Sequence, residues 1–320
     1  MSLPGYGQPV CSTLHPREEG LPPRMKMGNA FQKVASALPF GSEEGLSCID
    51  TDMEEVSADR MLDVSYKKIK RFPSPICSFT YVEKLYISNN RLRELPGEFE
   101  QLVNLKILAL DYNKFEDVPK VVCTLHNLTR LYLGSNRLMT IPSEFRNLEN
   151  LRCLWIESNY FRKFPKQLLD MPSLKSLQMG DNRLKSLPED LVRLLTLRGF
   201  WLYGNRFEDF PRVLLKMEFL EILDVDKNKI TQFPNMEHLE RLKLFCYDHN
   251  PAKRPPKVAD GVTLVGDGAE ELLAAKAQQI LDNQENQDNQ EPLHGILKNG
   301  STALEPKRTY SSLDCSQEET

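Results

Sequence analysis

The residues that recur at fixed spacing in this chain are amides, aromatics and carboxylates, whose chemistry is hydrogen bonding and contact rather than bond making. Asn90, Asn113, Asn136, Asn159, Asn182, Asn205 and Asn228 stand at an unbroken 23-residue spacing, and Asn250 follows one residue short of it. An amide side chain both donates and accepts, so a column of them can satisfy the backbone of a buried loop that has no ladder of its own. Four residues before each Asn stand Tyr86, Ala109, Tyr132, Trp155, Gln178, Trp201, Asp224 and Cys246, a row that takes up both tryptophans of the chain. Two residues before each Asn stand Ser88, Asp111, Gly134, Glu157, Gly180, Tyr203, Asp226 and Asp248. Exposed aromatics flanked by carboxylates are typical anchors of a protein interface. The same aromatics could instead stack on one another as a cover.

Groups that could react do not assemble. The histidines, His126, His238 and His249 among them, pair with no Ser or Cys in a recognisable nucleophile frame, so no enzyme is expected. The seven cysteines, Cys11, Cys48, Cys77, Cys123, Cys153, Cys246 and Cys315, show no CxxC spacing, and the histidines are scattered too, so no metal site is expected. An odd cysteine count without clustered caps implies reduced thiols acting as small buried hydrophobes, and hence a cytoplasmic setting. The GDG at 266–268 lacks the Lys and the GxGxxG frame of a phosphate loop and reads as a helix start. No cofactor is expected.

The element that positions the amide column follows from what surrounds it. A proline stands six residues after each of the first seven Asn: Pro96, Pro119, Pro142, Pro165, Pro188, Pro211 and Pro234. One period earlier, Lys67 and Pro73 mark a degenerate first repeat, with Lys in place of Asn. Leu128, Leu131, Leu133, Asn136, Leu138, Ile141 and Pro142 complete the template LxxLxLxxNxLxxLP, the leucine-rich-repeat pattern. The LxL pair alternates as a strand does, placing both leucines inside and the residue between them outside. Proline then fixes φ where the returning segment starts. The fold class expected is α/β: a leucine-rich-repeat solenoid of about eight to nine repeats, with a curved parallel sheet on the concave face and short helical or irregular convex segments. Strands stacked at about 4.8 Å make an inner arc of roughly 40 Å.

The expected organisation is a disordered extension over 1–50, an N-terminal cap over 51–61, repeats over 62–256, a C-terminal cap over 257–281, and a disordered tail over 282–320. In the C-terminal cap, Asp267 and Glu270 fit a capping box that opens a helix with Leu272, Leu273 and Ile280 on its apolar stripe. A net charge of −4 gives no field that argues for nucleic acid, and no apolar run is long enough to span a bilayer. Residues 1–23 lack the apolar core of a secretory signal. A cation row follows the amides, at Lys68, Arg91, Lys114, Arg137, Arg183, Arg206 and Lys229 with Tyr160 interrupting it, and reads as a solvated face.

Two resemblances add partners to this reading. Gly295, Ile296, Leu297 and Lys298 resemble the short docking motif of regulators of type-1 protein phosphatase, although the usual basic-Val-x-Phe companion is missing. Ile107–Asp111, Leu131–Gly134, Leu154–Glu157 and the YDHNP run at 247–251 resemble the leucine-rich repeat-containing protein 10 group. Within that group, Ser176–Asn182 and Trp201–Phe207 are most like the B paralogue. Met27-Gly28-Asn29 is similar to the group's initiator, so translation could start at either Met1 or Met27, and Gln32 stands where a myristoylation signal has Ser or Thr. The resemblance implies a cytoplasmic adaptor without cofactors, associated in its better-studied branch with the actin cytoskeleton and Z-discs. The partner-binding residues expected are Tyr86, Tyr132, Trp155, Trp201 and Tyr203, with Asp111, Glu157 and Asp226 beside them, and Gly295 to Lys298 in the tail.

Overall fold

A computed structural model of the protein describes residues 60–272 and the helical positions 274, 275 and 278. The chain divides after Leu273 into two units, and the repeats lie in the first. Gly295 to Lys298, residues 1–59 and residues 279–320 are outside the described residues.

Twelve short strands follow one another: β1 Met61–Asp63, β2 Lys84–Tyr86, β3 Ile107–Ala109, β4 Arg130–Tyr132, β5 Cys153–Trp155, β6 Ser176–Gln178, β7 Gly199–Trp201, β8 Ile222–Asp224, β9 Asn235–Met236, β10 Leu244–Cys246, β11 Lys257–Val258 and β12 Thr263–Val265. Ten of them form one sheet in the order β1 to β8, then β10, then β12. Every neighbouring pair is parallel and in register, so Tyr132 lies beside Trp155 and Trp155 beside Gln178. The remaining two, β9 and β11, pair with each other. The segment read as the C-terminal cap thus supplies two strands before it turns helical at Ala269. Met61, the last residue assigned to the N-terminal cap, already sits in the first strand.

Each turn of the repeat has the same cause. Leu131 and Leu133 flank the outward Tyr132 and are fully buried. Prolines 73, 96, 119, 142, 165, 188 and 211, with φ between −59° and −73°, each precede a five-residue 3-10 segment. The N–H of the third residue closes on the proline carbonyl, as Phe145 does on Pro142 at 3.1 Å. Five residues are too few to propagate an α-helix, so the tighter 3-10 turn serves. Pro234 departs from the pattern and leads into β9 instead.

The amides form a hydrogen-bonded column. Asn136 Nδ2 donates to the carbonyls of Leu110, Leu133 and Gly134 at 3.0, 3.1 and 3.1 Å. Its Oδ1 accepts the Phe115 N–H at 3.1 Å. One side chain therefore ties its own turn to the preceding one, and Asn90 through Asn250 repeat the arrangement. Sequence reading did not foresee the residue before each amide. Asn89, Tyr112, Ser135, Ser158, Asp181, Gly204, Lys227 and His249 all have φ between +48° and +62°. This left-handed step ends the strand ahead of each inward amide, and only Gly204 adopts it without steric cost.

Cys77, Cys123 and Cys153 are free thiols, and burial pushes the pKa of each up, to about 12 for Cys123.

Candidate functional site

The strand register brings the predicted aromatic row together on the outward side of the sheet. Tyr86, Ala109, Tyr132, Trp155, Gln178, Trp201 and Asp224 succeed one another on adjacent strands. The aromatics are not fully exposed as expected; Tyr86, Tyr132, Trp155, Trp201 and Tyr203 are all half-buried. Tyr132 and Trp155 meet edge to face with centroids 4.9 Å apart. Burial raises the phenol pKa of Tyr132 and of Tyr203.

The half-burial comes from glycines on the same face. A Cβ added at Gly180 would sit 2.3 to 2.5 Å from three atoms of the Tyr203 ring, and one at Gly199 would sit 2.5 Å from the Trp201 indole. At Gly134 the added carbon would meet Glu157 Oε1 at 2.2 Å. Each missing side chain lets a large neighbour lie down on the sheet instead of projecting from it. Gly134 and Gly180 were visible in the sequence as members of the second row and were the available signal for this packing; Gly199 belongs to neither row. Gln178 Nε2 also donates to the Tyr203 hydroxyl at 3.2 Å, which fixes the ring over Gly180.

This seating predicts a coupling. Gly180→Val will displace Tyr203 and destabilise the protein by about 1–3 kcal/mol, the usual range for overpacking. In a Tyr203→Ala background the same substitution will cost much less. Urea melts of the two single variants and the double variant measure the difference, and strict additivity would mean that ring and glycine are not in contact.

The carboxylates beside the aromatics are more buried than the row pattern implied. Glu157 is 7% exposed, Asp224 2% and Asp226 5%. Burial pushes the Glu157 pKa up to about 7; its own backbone N–H opposes the rise, and the charges of Asp111 and Asp181 add to it. Burial likewise pushes Asp224 up to about 7, against the Asp226 N–H that donates to it at 2.9 Å. Asp226 is raised by burial and held back by His249, whose Nδ1 lies 3.2 Å from Asp226 and 3.1 Å from Asp248. Asp267 turns toward Asp248, whose proximity raises its pKa; the helix expected to open at Asp267 begins at Ala269 instead. Two buried polar atoms on this face have no hydrogen-bond partner among the described residues: Trp155 Nε1 and Glu157 Oε2.

On the neighbouring surface, Arg162, Arg183, Lys185 and Arg206 line an open groove, with Arg183 stacked 4.4 Å from the Tyr160 ring. Arg137, by contrast, faces Glu116 at 3.8 Å.

A stack of parallel rungs, an amide column joining each rung to the last, and a proline-led 3-10 return in turn after turn together decide the architecture. The protein is a leucine-rich-repeat solenoid. The profile of the leucine-rich repeat region matches its residues 60–186. The solenoid is similar to leucine-rich repeat-containing protein 10 of Mus musculus, 46% identical over 81 residues that make up 25% of this chain and 29% of that protein. The Bos taurus protein of the same name is 47% identical over 81 residues, 25% of this chain and 28% of its own length. The match thus spans less than a third of either relative. A leucine-rich-repeat protein of Leptospira interrogans superimposes with a TM-score of 0.55 and 30% identity, covering 58% of this chain and 48% of that one. An internalin of Listeria monocytogenes shares the fold at a TM-score of 0.50 and 23% identity, over 64% of this chain and 53% of that one. No helix among the described residues is long and apolar enough to cross a membrane.

Proposed function

We propose that this solenoid is a non-enzymatic adaptor that holds a protein partner against the outward face of its sheet, centred on Tyr132, Trp155, Trp201 and Tyr203. The observation that carries this reading is the pair of buried polar atoms, Trp155 Nε1 and Glu157 Oε2, left without partners on a face that gathers both tryptophans. A donor and an acceptor in that state suit the carbonyl and N–H of an incoming chain. Repeat solenoids in general serve as protein-binding scaffolds, and their stacked strands offer an extended contact surface. The similarity to leucine-rich repeat-containing protein 10 supports an adaptor role. On that resemblance we extend the proposal to a cytoplasmic, actin-associated cytoskeletal partner. The second reading, a targeting subunit for type-1 protein phosphatase, is favoured by the Gly295–Lys298 motif alone, outside the described residues.

Proximity labelling from the full chain tests both. Trp155→Ala combined with Trp201→Ala will remove the labelled partners while circular dichroism stays native. Truncating interface aromatics of this kind costs about 2 kcal/mol or more, roughly thirtyfold in affinity. If the double variant labels the same proteins and only deletion of 283–320 abolishes labelling, the tail reading replaces the face reading. If the double variant unfolds, the aromatics are a cover for the sheet.

A further inference from the structure

The chemistry of the partner can be read from the same face, an inference that rests on the protein-binding reading. From Tyr86 to Asp248 the two outward rows contain no Lys or Arg, although the chain as a whole has 41 of them against 45 acids. The rows instead carry Asp111, Glu157, Asp224, Asp226 and Asp248, and Asp181 stands at their margin. Arg130, on the same outward side two residues before Tyr132, acts on Tyr86, Tyr132 and Cys153 at one end of the stack. From Glu157 onward the rows form an acidic local field that the nearly balanced composition does not explain.

Glu157 makes the field specific. It is 7% exposed, seated over Gly134, and its Oε2 has no hydrogen-bond partner among the described residues. Its charged neighbours, Asp111 and Asp181, have its own sign. A carboxylate withdrawn from water and left without a counter-charge is unfavourable until a cation or a donor reaches it. Trp155 lies two residues away in sequence, edge to face with Tyr132, and the Tyr203 hydroxyl feels the Glu157 charge. Aromatic faces beside a carboxylate form the standard recognition environment for a guanidinium or an ammonium, which stacks on the ring while its N–H groups reach the acid. At the Asp224 end, Asp226 and Asp181 add negative charge, while Lys227 opposes it and His249 lies 3.2 Å from Asp226.

We propose that the outward face between Asp111 and Asp226 binds an arginine- or lysine-bearing segment of its partner, with one cation seated on Glu157 against Trp155 and Tyr203. The neighbouring Asp224 and Asp226 receive a second basic side chain further along the stack. The orphan Trp155 N–H donates to a carbonyl of the same extended segment, so the contact reads backbone as well as charge.

Fluorescence anisotropy of labelled octa-arginine and octa-lysine against the full chain tests this, with octa-glutamate and a Gly-Ser peptide of equal length as controls. Both basic peptides will bind and neither control will. Glu157→Gln and Asp224→Asn will each weaken octa-arginine about tenfold, the size expected for one close charge pair. Glu189→Gln and Glu240→Gln, which remove exposed acids outside the two rows, will leave binding within about twofold, because exposed charge is screened. Binding will tighten as pH rises from 6 to 8, because a cation selects the ionised form of carboxylates that titrate near 7. Glu157→Gln will flatten that rise. Urea melts of the variants confirm that they remain folded. Equal weakening by all four acid variants would show diffuse attraction and overturn the proposal, as would no binding of octa-arginine to the wild type. In either case the protein-binding reading stands or falls separately, on the labelling by the tryptophan variant.

Discussion

Asn136→Ala will lower the stability of the repeat sheet by about 1–3 kcal/mol, whereas Lys67→Ala will change it by only a few tenths. The asymmetry follows from what each side chain does. Removing the Asn136 amide leaves the Phe115 N–H without its acceptor and takes a donor from three carbonyls, all inside the solenoid. The Phe115 N–H is then left unsatisfied inside the solenoid, which costs about 1–3 kcal/mol, while the three carbonyls keep donors in Asn113, Asn159 and the Tyr112 N–H. Lys67 occupies the equivalent place in the first turn, but there only its backbone N–H takes part, donating to Asn90 Oδ1 at 3.1 Å. Alanine keeps that N–H. Urea denaturation of both variants gives the comparison directly, and similar losses at the two positions would show that the column does not carry the stability assigned to it.

The second large effect is on pH dependence. The protein will lose stability as pH rises from about 5 to about 7 and then level off, the reverse of ordinary acid denaturation. Glu157 has an ordinary pKa of 4.5 and Asp224 one of 3.8, and burial pushes both up to about 7 in the folded chain. Between those values the folded state holds more protons than the unfolded chain. By linkage, stability therefore falls with rising pH through that window. At about 1.4 kcal/mol per pH unit, Glu157 accounts for roughly 3 kcal/mol and Asp224 for roughly 4 kcal/mol between their unfolded and folded pKa values. The two share Asp181 as a neighbour, so their losses will not simply add. Asp226 is displaced in the same direction. Opposite shifts occur at half-buried Glu83, which Lys106 and Arg60 hold low, and at Glu144, held at about 2 mainly by Lys120; these act below the window. Urea midpoints at pH 5, 6, 7 and 8 will show the decline in the wild type, and Glu157→Gln, which cannot ionise, will be more stable than wild type at pH 8. A flat wild-type profile across that range would mean that the two carboxylates are hydrated in solution.

The second of these predictions concerns a face that the sequence located but did not fully describe. The 23-residue period and the two-residue alternation within each strand are local properties. They determine by themselves that Leu131 and Leu133 point inward, that Asn136 joins adjacent turns, and that Tyr132, Trp155, Trp201 and Tyr203 share one side of a parallel sheet. The prolines likewise fix where each return begins, because their φ is set by covalent geometry. What alternation cannot encode is the direction in which an outward side chain leans. That depends on the residue beside it in space, a full repeat away in sequence. Tyr203 lies flat because Gly180 has no Cβ, and Glu157 sinks toward the sheet because Gly134 has none. The 3-10 form of the returns, the left-handed residue before each amide, and the strands contributed by residues 257–265 were settled in the same way, by how the chain closes against its neighbouring turn. The sequence thus determined which groups share the face. Only the tertiary packing decided that its aromatics are half-buried and its central carboxylates withdrawn from water, because burial is a property of neighbours that the period brings together but does not choose.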